Sequence, residues 1–220
     1  MTDYDVMVSL MPMKYEIIAV GNLKGGTGKT TIAVNLACAL NAYLVDADAG
    51  QNSAAVWLEK GNLPIKGESL PLGSSLEAWV RQVAGINHRP LVLDLPPALG
   101  EVTTAALFIA DLLLVPITPS GIDLQATIPT LEMLRRVRER RRERDGSPHC
   151  VLVPSKVDAR TANGRDLPAV LKGFRKMVGP EISQRVAFVD SFTEGQWVGD
   201  FAPGSQAHQE IMTLARKARR

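Results

Sequence analysis

A glycine-rich segment with two lysines, residues 24–31 (KGGTGKTT), constrains the fold of this chain more than any other part of its sequence. The β-branched run at residues 17–20 precedes it and predicts a buried strand, and residues 31–40 follow with apolar residues at helical spacing. A glycine-rich loop in this context is typical of a phosphate site. The segment therefore predicts a phosphate-binding α/β domain rather than a glycine-rich turn that binds nothing.

Each residue type in this loop has a chemical reason to be there. Gly25, Gly26 and Gly28 lack a Cβ, which lets backbone N–H groups curl around phosphate oxygens. The following helix directs its partial positive charge at the same anion, and Lys29 is expected to reach the β- and γ-phosphates. Thr30 is expected to offer its hydroxyl to Mg²⁺. The predicted nucleotide-binding residues are those of the whole loop: Lys24, Gly25, Gly26, Thr27, Gly28, Lys29, Thr30 and Thr31.

The lysine at the front of the loop narrows the prediction further. Gly28, Lys29 and Thr30 fit the ordinary loop pattern, whereas Leu23 stands where that pattern has its leading glycine. The loop resembles the deviant Walker A motif of the ParA/MinD family of partition and positioning ATPases. The resemblance implies ATP as the nucleotide, and a sandwich homodimer in which Lys24 acts on the phosphates of the partner subunit, as an arginine finger does elsewhere.

Three aspartates fit the same resemblance. Asp46 and Asp48 follow an apolar run, like the family's Asp-x-Asp element, and Asp94 ends a continuous apolar run, like a Walker B strand. The resemblance implies that Asp48 orients or activates the attacking water, that Asp46 supports the Mg²⁺ shell and that Asp94 holds the Mg²⁺. The predicted catalytic residues are Lys24, Lys29 and Asp48, and the predicted metal residues are Thr30, Asp46 and Asp94. Taken alone, these aspartates would also suit ordinary turns and helix caps.

Further apolar runs alternate with helical patterns and predict a parallel sheet covered on both faces. The fold class expected is α/β, a three-layer doubly wound sheet in one domain at residues 14–220, after a loosely attached tail at residues 1–13. The runs predicted as strands after the first are residues 42–45, 91–97, 111–117, 150–158 and 186–189.

The resemblance also suggests where the adenine base is bound. Ser155, Lys156 and Asp158 occupy the segment that contacts the base in relatives, and Lys156 and Asp158 are predicted nucleotide-binding residues. A loop at residues 191–203, with Phe192 and Trp197, could border the nucleotide or a partner, or could only close the core.

The two cysteines, Cys38 and Cys150, lack a metal-binding spacing and are expected to be buried thiols in a reducing compartment. The three histidines are scattered, which disfavours a metal cluster. The chain has no run of about 18 apolar residues and no basic N-terminal region of the kind found in signal peptides. We therefore expect a cytoplasmic protein without stable membrane association.

Charge is unevenly distributed along the chain. Residues 1–130 carry a net charge of −5 and residues 131–220 carry +7, giving the overall +2. A helix anchored by Leu131, Leu134 and Val137 carries arginines interleaved with Glu139 and Glu143, an arrangement that also suits a solvated face. The arginines of this segment are Arg135, Arg136, Arg138, Arg140, Arg141, Arg142 and Arg144.

The resemblance implies binding to DNA without sequence preference. Such binding rests on contacts with phosphates and depends on salt. Two weak patches on one dimer would act by avidity, which lets nucleotide state switch the affinity. The basic residues predicted for this role are Arg175, Lys176, Arg216, Lys217, Arg219 and Arg220.

The main functional hypothesis is a slow ATPase that dimerises with ATP, coats the nucleoid and is released when a ParB-like or other cargo adaptor stimulates hydrolysis. Its cargo could be a plasmid, a chromosome or a protein assembly. The alternatives are a MinD-like protein with a C-terminal membrane helix containing Ile211, Met212 and Leu214, a module that ATP merely locks as a dimer, and a metabolic ligase or iron-sulfur assembly ATPase.

Overall fold

A computed structural model describes residues 13–48, 50–51, 53–73, 75–98, 100–141 and 147–220 of the chain. The tail expected at residues 1–13 lies outside these ranges except for Met13. The division into a tail and one domain stays a prediction.

A parallel sheet forms the centre of the protein. Its strands lie in the order β3-β2-β4-β1-β5-β6-β7, and β8 pairs with β6 farther along that strand. Every strand pair among the described residues is parallel. The strands are β1 (Ile17–Val20), β2 (Tyr43–Asp46), β3 (Gly67–Ser69), β4 (Leu91–Asp94), β5 (Leu112–Ile117), β6 (His149–Val157), β7 (Met177–Val178) and β8 (Ile182–Ser183).

Helices connect these strands and cover both faces of the sheet, because parallel neighbours need crossover connections. This confirms the predicted doubly wound α/β fold. The helices are α1 (Lys29–Leu40), α2 (Ser53–Glu59), α3 (Leu76–Gly85), α4 (Glu101–Ile109), α5 (Gly121–Arg141), α6 (Ala162–Lys172), α7 (Val186–Thr193), α8 (Val198–Phe201) and α9 (Gln206–Ala218).

Alternate residues of the central strands enter two separate cores. On one face, Ile18 and Val92 pack with apolar residues of α1 and α9, including Ile32 and Ile211. On the other face, strand residues such as Leu93 pack with α3, α4, α5 and α6. The strands are apolar on both faces for this reason, which explains why they appear in the sequence as continuous apolar runs.

The prediction of a last strand at residues 186–189 was wrong. These residues begin α7, in which Phe188 is buried while Val186 and Val189 are 72% and 66% exposed. Phe188 and Phe192 lie four residues apart and face the same core. β-branched residues favour strands only weakly, and here helical packing of these two rings overrides that preference. The strand of this region is the shorter β8, upstream of α7.

The arginine-rich helix is present as α5, with Leu134 and Val137 buried and Leu131 partly buried. Arg142, Glu143 and Arg144 lie outside the described residues. Two of its arginines serve the fold, because Arg138 Nε donates to the carbonyl of Pro148 at 3.0 Å and Arg141 Nη1 donates to the carbonyls of Leu107 and Ala110.

The C-terminal helix α9 packs against α1 on the first face of the sheet. Its apolar residues Ile211, Met212 and Leu214 are at most 2% exposed. At the end of this helix, the carbonyl of Arg219 accepts a hydrogen bond of 3.1 Å from the backbone N–H of Lys14. The C-terminus of α9 therefore lies beside the start of β1, at the amino-terminal edge of the sheet.

Candidate nucleotide site

The loop after β1 has a backbone that only glycine adopts readily. Gly26 and Gly28 have φ values of 78° and 89°, in the left-handed region. A Cβ on Gly28 would also lie 2.9 Å from Ser155 Oγ, whereas one on Gly25 or Gly26 would meet no atom within 4 Å. The loop thus bends sharply into α1 at Gly28 and leaves open space above Gly25 and Gly26 for a bound group.

The two lysines of the loop have different environments. Lys29 is buried, and its Nζ donates to the carbonyl of Lys24 at 3.1 Å. Burial lowers the pKa of Lys29, while the nearby carboxylates of Asp94 and Asp48 oppose this shift. The side chain of Lys24 is exposed at the same edge of the sheet. Lys29 therefore belongs to the site itself, and Lys24 faces outward from it.

Strand pairing brings the predicted aspartates to the loop. Asp94 at the end of β4 is in register with Val20 of β1 and with Asp46 of β2. These residues end adjacent parallel strands, so their side chains meet where the phosphate loop begins. Residues separated by nearly fifty positions in the sequence therefore form one cluster at the carboxyl-terminal edge.

Asp94 is the residue best suited to a divalent cation. Its Oδ2 accepts a 2.7 Å hydrogen bond from Thr30 Oγ1, while its buried Oδ1 has no hydrogen-bond partner in the described part of the chain. Burial raises the pKa of Asp94 to about 7; Asp46 and Asp48 add to the shift, and Thr30 and Lys29 oppose it. A cation would satisfy the Oδ1 lone pairs and favour the ionised form. Thr30 and Asp94 thus fit Mg²⁺, which takes few protein ligands beside nucleotide phosphates.

Asp46 is completely buried and has a structural task. Its Oδ1 accepts from the backbone N–H of Asp48 at 3.0 Å, and its Oδ2 accepts from that of Ala55 at 2.8 Å, at the start of α2. Burial raises the pKa of Asp46 and these backbone bonds oppose the shift. Both oxygens are thus engaged by the backbone, so a supporting role for Asp46 near the metal is more consistent with the geometry than direct coordination.

Asp48 lies beside this cluster and is partly buried. Its Oδ1 accepts hydrogen bonds from the backbone N–H groups of Gly50 and Gln51, at 3.0 and 3.3 Å. These bonds close a turn. Among the described residues, both of these bonds go to Oδ1 rather than Oδ2, and the role of this carboxylate toward water stays a prediction.

A cavity of about 400 Å³ extends from the phosphate loop. Its walls include Gly28, Thr30 and Thr31 at one end, and Ser155 and Lys156 beyond them. Lys156, which has a positive φ of 52°, lines this cavity, and a base contact by it stays a prediction.

Asp158 has a different position from the one predicted. It borders a neighbouring hollow rather than this cavity, and both its oxygens accept from Arg160, with Arg160 Nε at 2.9 Å and Nη2 at 2.8 Å. These bonds lower the pKa of Asp158 to about 2. The Asp158 carboxylate therefore stabilises the turn before α6, and the structure offers no support for a base contact by it.

The cavity also reveals residues that the sequence did not indicate. Ser183, Gln184 and Arg185, between β8 and α7, form its far wall together with Phe188 and Phe192. The sequence predicted a strand at residues 186–189, so the connection before α7 was not recognised. The strand that is present, β8, has only two residues, which is too short to produce a periodic sequence pattern. In the loop that follows, Trp197 is 9% exposed and packs edge-on against His208, so it helps to close the core.

The predicted basic residues collect at the edge opposite the phosphate loop. Arg175 and Lys176 immediately precede β7, and Arg216, Lys217, Arg219 and Arg220 lie at the end of α9. Arg219 is only 7% exposed and burial lowers its pKa, so little of this residue is accessible to DNA. Arg216 is partly buried and donates to Thr213 Oγ1 at 3.0 Å. Arg175 and Arg220 are exposed.

Two kinds of feature are absent from the described ranges of the chain. These ranges contain no group of three or more His, Cys, Asp or Glu side chains arranged to hold a metal ion. They also contain no helix with the length and apolar character needed to cross a membrane.

Comparison with known proteins agrees with this geometry. A sequence model described as the CobQ/CobB/MinD/ParA nucleotide binding domain matches residues 18–198, which span the phosphate loop, the three aspartates and the cavity. The chain belongs to this family. The predicted membership of the ParA/MinD group is thereby confirmed.

Individual ParA/MinD proteins resemble the chain over most of its length. The "Maintenance of carboxysome distribution protein A" of Halothiobacillus neapolitanus is 31% identical over 203 residues, which cover 88% of this chain and 92% of that protein. The protein of the same name from Gloeobacter kilaueensis is 41% identical over 121 residues, covering 52% of this chain and 55% of its own.

The fold has close counterparts among solved structures of the ParA/MinD family. The septum site-determining protein MinD of Pyrococcus horikoshii, solved as a complex with Mg-ADP, superposes with a TM-score of 0.71 at 18% sequence identity. The alignment covers 91% of this chain and 94% of that one. The likeness shows that the two chains share the ParA/MinD fold.

Proposed function

We propose that this chain is a ParA-type positioning ATPase. It binds ATP with Mg²⁺, closes into a homodimer, binds DNA without sequence preference and leaves the DNA when an adaptor protein stimulates hydrolysis. The single observation that carries the proposal is the convergence of Lys29, Thr30 and Asp94 at the phosphate loop, beside an exposed Lys24.

The geometry supports a division of tasks among the site residues. Backbone N–H groups around Gly25 and Gly26 surround the phosphates, and Lys29 turns from the Lys24 carbonyl to the terminal phosphates. Thr30 and Asp94 would hold Mg²⁺, which when bound offsets the charge of the phosphate oxygens. Asp48 orients the attacking water from the rim of the site.

Lys24 supports the dimer part of the proposal. Its side chain is exposed at the carboxyl-terminal edge of the sheet, where the phosphate loop lies. A lysine so placed can reach phosphates of a second copy only when two such edges face each other. Lys24 then neutralises charge that develops during hydrolysis in the partner, at the place where an arginine finger acts in other NTPases.

The DNA part of the proposal is supported by where the positive charge lies. Arg175 and Lys176 precede β7, and Lys217 and Arg220 end α9, so both groups lie at the amino-terminal edge of the sheet. This edge remains accessible when the opposite edges of two copies meet. A dimer would present two such groups and bind a phosphate backbone by avidity.

The C-terminal helix favours DNA over a membrane as the surface. The apolar residues of α9 named for a membrane helix, Ile211, Met212 and Leu214, are buried against α1. Inserting them into a bilayer would require removing α9 from the core, and burying three such side chains contributes several kcal/mol, at roughly 1.5–3 kcal/mol each. The MinD-like alternative is therefore disfavoured on packing grounds.

The sequence similarity bears on the cargo. Both relatives described above are named for carboxysome distribution, and one aligns over most of both chains. Among the cargoes considered, this favours a protein organelle of that kind over a plasmid or a chromosome. The adaptor would then be a protein attached to the organelle, in the position that a ParB-like protein occupies on DNA.

The experiment that tests the proposal compares wild type with Asp48→Ala and Lys24→Ala, with ATP, Mg²⁺, DNA and the candidate adaptor present. We expect ATP-dependent dimers of wild type and Asp48→Ala in size-exclusion chromatography with light scattering, and hydrolysis by wild type only. Lys24→Ala should bind ATP as a monomer. Lys66→Ala, an exposed lysine at the start of β3, is the matched control and should behave as wild type.

Two outcomes would contradict the proposal in different ways. Equal hydrolysis by wild type and Asp48→Ala would support the alternative in which ATP only locks a dimer. ATP-dependent binding to liposomes, without binding to DNA at low salt, would support the MinD-like alternative.

A further inference from the structure

One carboxylate outside the phosphate loop holds a wall of the nucleotide cavity in place. Glu210, on α9, accepts four hydrogen bonds from the connection between β8 and α7. Its Oε2 accepts from Ser183 N at 3.0 Å, and its Oε1 accepts from Ser183 Oγ at 2.8 Å and from Arg185 Nε and Nη2 at 3.0 and 2.7 Å. The Glu210 and Arg185 side chains are only 17% and 30% exposed. Charge-assisted bonds of this length are stronger than neutral ones.

The segment that Glu210 holds lies where the nucleoside must go. The cavity begins at Gly28 and Thr31 of the phosphate loop and reaches Ser183, Gln184 and Arg185. The same three residues also border the adjoining hollow, so they form a wall common to both spaces. With the phosphates on the loop, the sugar and base extend toward this wall.

The chemistry of the wall suits a base rather than another phosphate. The Nε–Nη2 edge of the Arg185 guanidinium is bound to Glu210, which leaves its planar faces and its Nη1 end for a ligand. The paired charges offset each other, so the wall offers little net attraction to an anion. A guanidinium face held in this way can stack on an aromatic ring.

We propose that Glu210 is a positioning residue for the nucleoside half of the nucleotide. This role rests on the proposed function of the site. It does not touch the ligand. By fixing Ser183 and Arg185, it determines how well the cavity holds the sugar and base, while the phosphate loop holds the rest independently.

The experiment separates the two halves of the ligand. Isothermal titration measures the binding of Mg·ATP and of Mg·tripolyphosphate, which has no nucleoside, to wild type, Glu210→Gln, Arg185→Ala and the double variant. We expect each single variant to bind ATP about tenfold more weakly, since a charge-assisted bond is worth on the order of 1.4 kcal/mol or more. Tripolyphosphate binding should change less than about twofold. The double variant should bind ATP no more weakly than the weaker single variant, because both substitutions break the same hydrogen-bonded pair.

Steady-state kinetics distinguishes a positioning role of Glu210 from a general loss of structure. Glu210→Gln should raise the KM for ATP about tenfold and leave kcat unchanged, because the phosphate loop is intact. Asp190→Asn, which removes an exposed acid on α7, is the matched control and should match wild type. If Glu210→Gln fails to fold, Glu210→Asp, which keeps the charge but shortens the side chain that reaches Ser183 and Arg185, carries the same test.

The outcomes distinguish this inference from the function on which it rests. Equal weakening of ATP and tripolyphosphate, no weakening of ATP, or additive losses in the double variant would each overturn the positioning role. A wild-type protein that binds no ATP would overturn the proposed function instead.

Discussion

Asp94 shows how one buried carboxyl group combines a cost in stability with a use in binding. Its side chain is fully enclosed, and only Oδ2 has a hydrogen bond, from Thr30. An ionised carboxylate in such a place is unfavourable unless a cation joins it. The residue therefore destabilises the metal-free protein when charged, and a bound Mg²⁺ would offset that cost.

We predict a pH dependence of stability that Asp94→Asn removes. The folded protein holds a proton on Asp94 up to a pKa of about 7, whereas the unfolded chain releases it near the ordinary value of 3.8. The folded state binds more protons in this window, so the stability contributed by the protonated form is lost as pH rises from about 4 to about 7. The slope should approach about 1.4 kcal/mol per pH unit from this group.

Urea denaturation in EDTA at several pH values between 5 and 8 measures this slope. Over this range the free energy of unfolding of wild type should fall relative to that of Asp94→Asn. The difference between the two free energies should become constant above pH 8. Parallel stability curves for the two proteins would show that Asp94 does not titrate in this window.

At the scale of elements, α7 is where sequence and structure disagree. A run such as residues 186–189 is compatible with a strand by local preference, and only its exposure pattern in the folded chain shows a helix. The helix buries Phe188 and leaves Val189 in solvent. Substitutions at these neighbouring positions should therefore have very different effects.

Phe188→Ala should destabilise the protein by about 3 kcal/mol, because it removes a buried ring from the core against α1. Val189→Glu should change the free energy of unfolding by less than about 0.5 kcal/mol, as expected for an exposed helical position. Chemical denaturation of both variants measures the difference. A severe loss in Val189→Glu would indicate that this residue is buried, as it would be in a strand.

The elements that were predicted correctly share a physical signature. β1, β4 and β5 are buried on both faces, so their sequences are continuous apolar runs that stand out without any structural knowledge. The residues of the phosphate loop are similarly visible because their chemistry is local. Ser183, Arg185 and Glu210 were not predictable, since they meet only through the packing of α9 beside β8, and no local pattern encodes that contact.

At the scale of the whole molecule, the sheet separates two chemistries. The phosphate loop and aspartates lie at its carboxyl-terminal edge, and the basic residues before β7 and at the end of α9 lie at its amino-terminal edge. The sequence revealed the imbalance between its two parts but not this separation, which follows from the strand order. The proposed DNA binding should therefore be separable from the proposed nucleotide chemistry by substitution.

We predict that Arg175→Glu with Lys176→Glu lowers DNA affinity in the presence of ATP by at least about tenfold at low salt and leaves ATP binding unchanged. The slope of log affinity against log salt should become shallower by about 0.9 for each phosphate contact removed. Fluorescence anisotropy with duplex DNA at 50–200 mM salt, roughly the range over which such contacts weaken strongly, measures both effects.

Arg81→Glu, an exposed charge reversal on α3, is the control for this experiment and should bind DNA nearly as wild type does. The control reverses one charge and the double variant reverses two, so a loss in log affinity about half as large in the control would point to the net charge of the protein rather than to a surface beside β7.

The backbone hydrogen bond between Lys14 and Arg219 has a practical consequence for imaging. A fluorescent reporter fused after Arg220 would emerge beside β1, on the edge that carries the basic residues, and would crowd any DNA there. If the proposed DNA surface is correct, a fusion after Arg220 should reduce the fraction of protein bound to DNA, compared with the unfused protein detected by an antibody.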